Sequence, residues 1–257
     1  MEDRVDTSKV TICPIPKSVA KTMVIRYHYS HRFTSCRYAL GVFYKKDNHK
    51  FFDGEYEDLI GVIVYGHPVG ESAVKSIVTD DSIGLDNVLE LTRLFIYDGT
   101  GSNIESYVIG QSFKWLKKNA PNVKVLLSYA DPEVNHAGII YRATNWLYQG
   151  RGASAIAPSY SIKETPDGPW IHSRSAGARW KSRRTKSLAN KIGHVFWKKQ
   201  EAFKHRYIYF LCDKKEKKRI LSKLKMPILP YPDSSEQFKP PIQEIQIIDG
   251  KIHTKWL

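Results

Sequence analysis

Four groups of residues in this chain have types and spacings that suit chemistry. The stretch SYADPEVNHAGIIYRATNWLY, residues 128–148, places Asp131 at the end of an apolar, strand-like run, a common position for a functional carboxylate. Tyr141 follows ten residues later on a segment that reads as a helix, and its hydroxyl can donate or accept a proton. A structural reading stands beside this one: Asp131 as a helix cap and Tyr141 as a core aromatic. His28 and His31, three apart at the end of a predicted helix, can share a face and offer imidazole nitrogens to a metal, or fill ordinary surface and core positions. Arg93 lies inside the apolar run ELTRLFIY, where a guanidinium needs a carboxylate, a phosphate or solvent. The loop DGTGSN, residues 98–103, leads into a predicted helix, and such a junction either presents backbone N–H groups to an anion or is a plain turn.

Several elements must position these groups. The spacing predicts a helix over 17–27 with Val19 and Met23 on one face. Strands are predicted over 38–44, 59–65, 88–96 and 123–129, where β-branched and aromatic residues are bounded by Gly, Pro, Asp and Asn. A helix is predicted from about Ile104 to Lys118, with Ser102 and Glu105 as a capping box and Lys117 and Lys118 at its negative end. A short helix over about 135–144 and a strand over 146–148 follow. Further on come a strand over 207–212 and a helix over 213–224, with a second capping box at Asp213 and Glu216. The pair Asp249-Gly250 between alternating apolar residues signals a hairpin. Strands alternating with helices specify an α/β sheet with helices packed on it.

Composition narrows the function classes. The 257 residues, 42% of them hydrophobic, suit one sizeable α/β domain with an extension, and a boundary is expected near Gly150: residues 1–150 as catalytic core, 151–257 as a basic extension packed on it. No apolar run reaches membrane-spanning length, and MEDRVDTSKV lacks the apolar stretch of a secretory signal. Cys13, Cys36 and Cys212 fit neither a disulfide framework nor a CxxC zinc pattern. The net charge of +14 is concentrated: residues 172–225 hold 18 Lys and Arg against 3 Asp and Glu, while the rest holds 22 against 23. A block this basic, interleaved with aromatics such as Trp180, Trp197 and Phe203, fits a nucleic-acid partner, the alternative being a solvated basic surface. The expected phosphate-contacting residues are Arg174, Arg179, Lys181, Arg183, Arg184, Lys186, Lys204 and Arg206.

The stretches RYHYS, ELTRLFIYDGTGSNIES, IGQSFKWLKKNAPNVKVLLSYADP, HAGIIYRATNWLY, KHRYIYFL and PILPYP, in this order, resemble the phage Mom family over roughly residues 15–232. The resemblance implies a mixed α/β sheet flanked by helices of the GNAT, or N-acetyltransferase-like, kind. It implies a DNA-modifying transferase that converts the exocyclic N6 amine of adenine in double-stranded phage DNA to a carbamoylmethyl form, shielding that DNA from restriction in the cytoplasm of the infected bacterial host. The positions matching the family's functional residues are His28, Tyr29, Arg93, Asp131 and Tyr141. The resemblance further implies acetyl-CoA or a related acyl donor, whose pyrophosphate would sit on Thr100, Gly101, Ser102, Asn103 and Ser106, although the glycine-rich signature usual at that junction is absent. It also implies Fe(II), for which His28, Asp131 and His136, with His31, supply suitable donor types. An ordinary N-acetyltransferase acting on a protein or small amine, or a non-enzymatic DNA-binding protein on the same scaffold, are the competing expectations. The first leaves the basic block unexplained, and the second makes Asp131 and Tyr141 dispensable.

Overall fold

The computed structural model describes residues 4–45, 58–152, 159–233 and 238–257. The chain divides into two compact units. The first comprises residues 1–129, 138–150 and 206–231, and the second 130–137, 151–205 and 232–257. The single boundary expected near Gly150 is therefore corrected: the chain leaves the first unit there and returns to it at Arg206.

The first unit is built on a seven-stranded mixed sheet. Its strands are β1 (Val10–Pro14), β2 (Tyr38–Tyr44), β3 (Leu59–Gly66), β4 (Val88–Ile96), β5 (Val125–Ala130), β6 (Leu147–Arg151) and, from later in the chain, β10 (His205–Phe210). Their order across the sheet is β1-β2-β3-β4-β5-β10-β6. The first four are antiparallel neighbours, and β4 pairs with β5 in parallel. The helices of this unit are α1 (Lys17–Tyr27), α2 (Glu71–Lys75), α3 (Ile104–Asn119), α4 (Ile139–Ala143) and α7 (Lys214–Leu221). A parallel neighbour requires a crossover, and α3 supplies it. One face of the sheet buries Val62 and Val64 under Ala20, Met23 and Val24 of α1. Toward α3, the Tyr65 hydroxyl meets Ser112 Oγ at 2.7 Å, and that serine donates to the Ile109 carbonyl at 2.7 Å. A second apolar cluster joins Val74, Val88, Val125, Ile208, Phe210 and Ile220.

The second unit holds a five-stranded sheet of order β12-β11-β9-β7-β8, of which periodicity anticipated the hairpin of the last two strands in the chain but not the other three. Its strands are β7 (Tyr160–Lys163), β8 (Ile171–His172), β9 (Phe196–Gln200), β11 (Ile242–Ile248) and β12 (Lys251–Trp256). Helices α5 (Ser173–Trp180) and α6 (Thr185–Ile192) pack on it through Ala176, Leu188 and Ala189 against Ile162, Phe196 and Ile245. The expected hairpin is present: Ile248 pairs with Lys251, and Asp249 and Gly250 both have positive φ, as a two-residue type I′ turn requires. Among the described residues no helix is long and apolar enough to cross a membrane.

Candidate functional site

The candidate site of the first unit forms around β4. The ladder with β3 is regular except at one point: Val64 pairs with Arg93, but Tyr65 pairs with Leu91. Thr92 is the extra residue of a β-bulge, and its Oγ1 donates to the Val64 carbonyl at 3.1 Å. The bulge resets the alternation of side chains. Glu90 and Arg93, three apart, come to the same face, where strict period-two spacing would have separated them. The Arg93 guanidinium donates from Nε to the Arg32 carbonyl at 2.8 Å and from Nη1 to the Thr92 carbonyl at 2.5 Å. Burial lowers the Arg93 pKa, and the Tyr29 and Glu90 side chains oppose that shift.

His28 and Tyr29 arrive at the end of α1. The His28 ring is buried, lies 4.3 Å from the Tyr29 ring, and accepts at Nδ1 from the Ser30 backbone N–H at 3.1 Å. A backbone N–H can only donate, so Nδ1 carries the lone pair and the proton of the neutral ring sits on Nε2. Tyr29 is 52% exposed. His31 faces elsewhere, its Nδ1 donating to the Ile25 carbonyl at 2.9 Å.

Tyr141 is held on α4 by a backbone that only glycine allows. Gly138 caps that helix at φ +80, and a Cβ there would lie 2.5 Å from the Tyr207 ring. The Tyr141 ring packs against Trp146 at 5.2 Å and Tyr207 at 4.8 Å. Its hydroxyl meets Ser128 Oγ at 2.7 Å, and Ser128 Oγ lies 3.0 Å from the Leu91 carbonyl. A serine hydroxyl has one proton, and a carbonyl can only accept. When Ser128 donates to Leu91, the Tyr141 proton points to Ser128. Burial pushes the Tyr141 pKa up to about 12 against the Ser128 hydrogen bond, and Tyr29 and Glu90 push the same way. The hydroxyl is therefore protonated at neutral pH. His28, Tyr29, Arg93 and Tyr141 are thus gathered in one unit. Two members of this group, Glu90 and Ser128, were not picked out from the sequence. Glu90 had a signal in its charge three residues before Arg93, but only the bulge reveals their shared face.

The loop from Asp98 joins β4 to α3. Gly99, Gly101 and Asn103 all have positive φ, and Asn103, not Ser102, precedes the helix, without a side-chain cap. The capping box expected of Ser102 and Glu105 is not formed, because the Ser102 backbone is bridged to the N-terminal segment, its carbonyl accepting from Val5 N–H at 3.2 Å. Thr100 Oγ1 donates to the Tyr97 carbonyl at 3.2 Å and Ser106 Oγ to the Asn103 carbonyl at 2.9 Å. The first-turn N–H groups of α3 thus have no side-chain cap and are of the kind that takes an anion.

Asp131 and His136 belong to the second unit. Asp131 caps the 3₁₀ turn Pro132–Val134, accepting from Glu133 N–H at 3.0 Å, and pairs with Lys204 at 3.2 Å. Among the described residues no three His, Cys, Asp or Glu side chains form a group able to hold a metal ion. The metal set of His28, Asp131 and His136 is therefore corrected: the His28 Nδ1 is taken by Ser30 and the Asp131 carboxylate by its own turn and Lys204.

The basic residues fall into two groups. Arg174, Arg179, Lys181, Arg183, Arg184, Lys186 and Lys204 are exposed in the second unit. Arg206 is not: it has no exposed surface, and its inclusion among phosphate contacts is corrected. It lies on β10, between β5 and β6, on the face it shares with Ile208 and Phe210. Its Nη1 donates to Ser76 Oγ at 2.6 Å.

A mixed sheet flanked by helices, with a bulged strand β4 beside a buried tyrosine–serine pair, defines the class: an α/β protein with a polar site beside the junction of its parallel strands. The chain belongs to the Mom protein family, whose pattern matches residues 9–233. It is 31% identical over 218 residues to the methylcarbamoylase Mom of Escherichia phage Mu, covering 83% of this chain and 80% of that one. Among solved structures, it is similar to spermidine N-acetyltransferase from Vibrio cholerae in complex with CoA and spermine, at 7% identity and a TM-score of 0.42, covering 79% of this chain and 96% of that one. It is also similar to NAA60 of Arabidopsis thaliana in complex with acetyl-CoA, at 12% identity and a TM-score of 0.45, covering 78% and 98%.

Proposed function

We propose that this protein is a transferase that alters the N6 amine of adenine in double-stranded phage DNA, by a carbamoylmethylation-type reaction, and so protects that DNA from restriction in the host cytoplasm. The observation that carries this reading is the family match over residues 9–233, together with the relative described as a methylcarbamoylase.

The chemistry makes definite demands. The adenine N6 lone pair is delocalised into the ring, so the amine is a weak nucleophile, and within a stacked duplex it is out of reach. The base must be extruded at a cost of about a few kcal/mol. The bond to be formed joins N6 to a CH₂, whereas acyl transfer from a thioester would join it to a carbonyl. An acyl-CoA donor supplies an activated acyl group when bound, but it does not by itself account for this product.

This chain's own residues have separate proposed roles. The α3 N-terminus, with Thr100, Gly101, Ser102, Asn103 and Ser106, would hold the anionic part of the donor. Tyr141, held protonated by burial, gives a proton to the leaving group. Arg93, kept charged beside Glu90 and Tyr29, orients an acidic or carbonyl group of the donor. His28 fixes the turn that presents Tyr29. The exposed cations of α5 and α6 hold the duplex.

Mass spectrometry of nucleosides from DNA of cells expressing the chain tests the reading. An adenosine species heavier by the carbamoylmethyl group is expected. Unmodified adenine in cells holding soluble, folded protein would overturn it.

A further inference from the structure

The second unit carries a charged feature for which the reactive site gives no reason. From Ser173 to Gln200 there are nine Lys and Arg and no Asp or Glu. Within this stretch lie two eight-residue helices, α5 and α6, joined by the four residues Lys181–Arg184. Both helices bury one side against the same face of the five-stranded sheet. Leu188 and Ala189 of α6 are buried, and Ile192 packs beside them. Lys186 and Asn190, one turn apart, are exposed on the opposite side of α6.

The charges there are open to a partner. Arg179 pairs with Glu164 at 2.8 Å, and Lys191 donates to the Trp180 carbonyl at 2.6 Å. Among the described residues, Lys181, Arg183, Arg184 and Lys186 form no ion pair, and the Asn190 amide makes no side-chain hydrogen bond. An exposed helix with an unengaged amide on its outer face, entered through three free cations, presents the chemistry that recognises duplex DNA. Cations neutralise phosphates on either side of a groove, and an asparagine amide matches the N6 and N7 edge of adenine. An α-helix with its side chains is about 10–12 Å across, and the major groove is about 12 Å wide.

We propose that α5, its four-residue turn and α6 form a helix–turn–helix unit that lays α6 in the major groove of duplex DNA. Lys181, Arg183 and Arg184 grip the backbone, and Lys186 and Asn190 read base edges. The adenine acted on has to leave the stack, so the sequence read by α6 is that of the flanking, still-paired bases. This inference rests on DNA being the partner, and assigns to α6 the choice of sequence.

Binding of the full-length protein to a duplex pool with a randomised centre tests it, with the retained duplexes sequenced. The parent is expected to enrich a short motif. Asn190→Ala should flatten that enrichment while leaving affinity for a scrambled duplex within about threefold, since losing one bidentate base contact removes roughly 1–3 kcal/mol of discrimination and no phosphate contact. Arg183→Ala with Arg184→Ala should weaken binding to all duplexes alike and reduce the slope of log affinity against log salt by about 2. Thermal melts confirm that each variant is folded. An Asn190→Ala variant with the parental motif, or an arginine variant with parental affinity and slope, would overturn the proposal. Tighter binding to single-stranded RNA or to anionic vesicles than to duplex DNA would overturn it also. The assay needs no catalysis. Loss of adenine modification with α6-dependent binding intact would strike only the enzymatic reading, whereas modified DNA with no role for α6 would strike only this one.

Discussion

Replacing Tyr141 with phenylalanine separates chemistry from folding, because the structure states what the hydroxyl does at rest. The ring fills a buried site against Trp146 and Tyr207, and phenylalanine keeps those contacts. The lost interaction is the 2.7 Å hydrogen bond with Ser128. Ser128 retains its own acceptor, the Leu91 carbonyl at 3.0 Å, so no buried donor is stranded. A single buried hydrogen bond removed in this way costs about 0.5–1.5 kcal/mol, which lowers the melting temperature of a chain this size by a few degrees. If Tyr141 gives a proton in the reaction, the same change lowers modification by about 10²-fold or more, equivalent to roughly 2.7 kcal/mol of barrier. The second figure exceeds the first, and the two are read in separate assays: thermal melting, and mass spectrometry of modified adenine per molecule of folded enzyme. Ser128→Ala is the complementary change. It leaves the Tyr141 hydroxyl buried without its partner, so stability falls by about 1–3 kcal/mol, more than for Tyr141→Phe, while the acidic proton is retained. Catalysis should then fall less than in Tyr141→Phe. Near-parental modification by Tyr141→Phe, or the opposite ranking of the two variants, would refute the reasoning.

Two other outcomes follow from the fold. A chain ending at Gly150 loses β10, which lies between β5 and β6, and with it Ile208, Phe210 and Ile220 of an apolar cluster; circular dichroism should show no cooperative melt, and a cooperative one would mean that residues 206–231 are dispensable to the sheet. Burial pushes the Glu201 pKa up, but hydrogen bonds with His172 and Ser161 outweigh it and hold the carboxyl at about 2, below its usual 4.5; its stabilisation is present above the unfolded value and lost as pH falls from about 4.5 through 2, so urea midpoints should drop more steeply over that range in the parent than in Glu201→Gln.

Much of the first unit is written locally in the sequence. β2 and β4 form over the residues that alternation and β-branched content marked, and α1 over those marked by helical spacing. The Asp249-Gly250 turn takes the positive φ values its residue types favour. Asp213 caps α7 as expected, accepting from Glu216 N–H at 2.8 Å, although the Glu216 side chain turns to Lys124 and Arg219 instead of closing the box. These features depend on neighbours a few residues away, and short-range spacing encodes them. Composition was equally direct about the basic block, since charge needs no fold to be counted.

Other features depend on which segments pair, and spacing along one chain does not encode that. β1 pairs with β2 across the whole of α1, and the second sheet draws β7, β9 and β11 from distant stretches. Arg206 reads as one more cation in a basic run, yet an interior strand turns it inward beside Ile208 and Phe210. Asp131 and His28 have the donor atoms of metal ligands, but a local turn engages the Asp131 carboxylate and Ser30 engages His28 Nδ1. The site around β4 depends on one extra residue: Thr92 shifts the register against β3 and puts Glu90 and Arg93 on one face. The sequence alone supplied the charges and most of the reactive side chains. Tertiary pairing decided which of them face each other, because a one-residue slip in a strand reverses the side to which every following residue points.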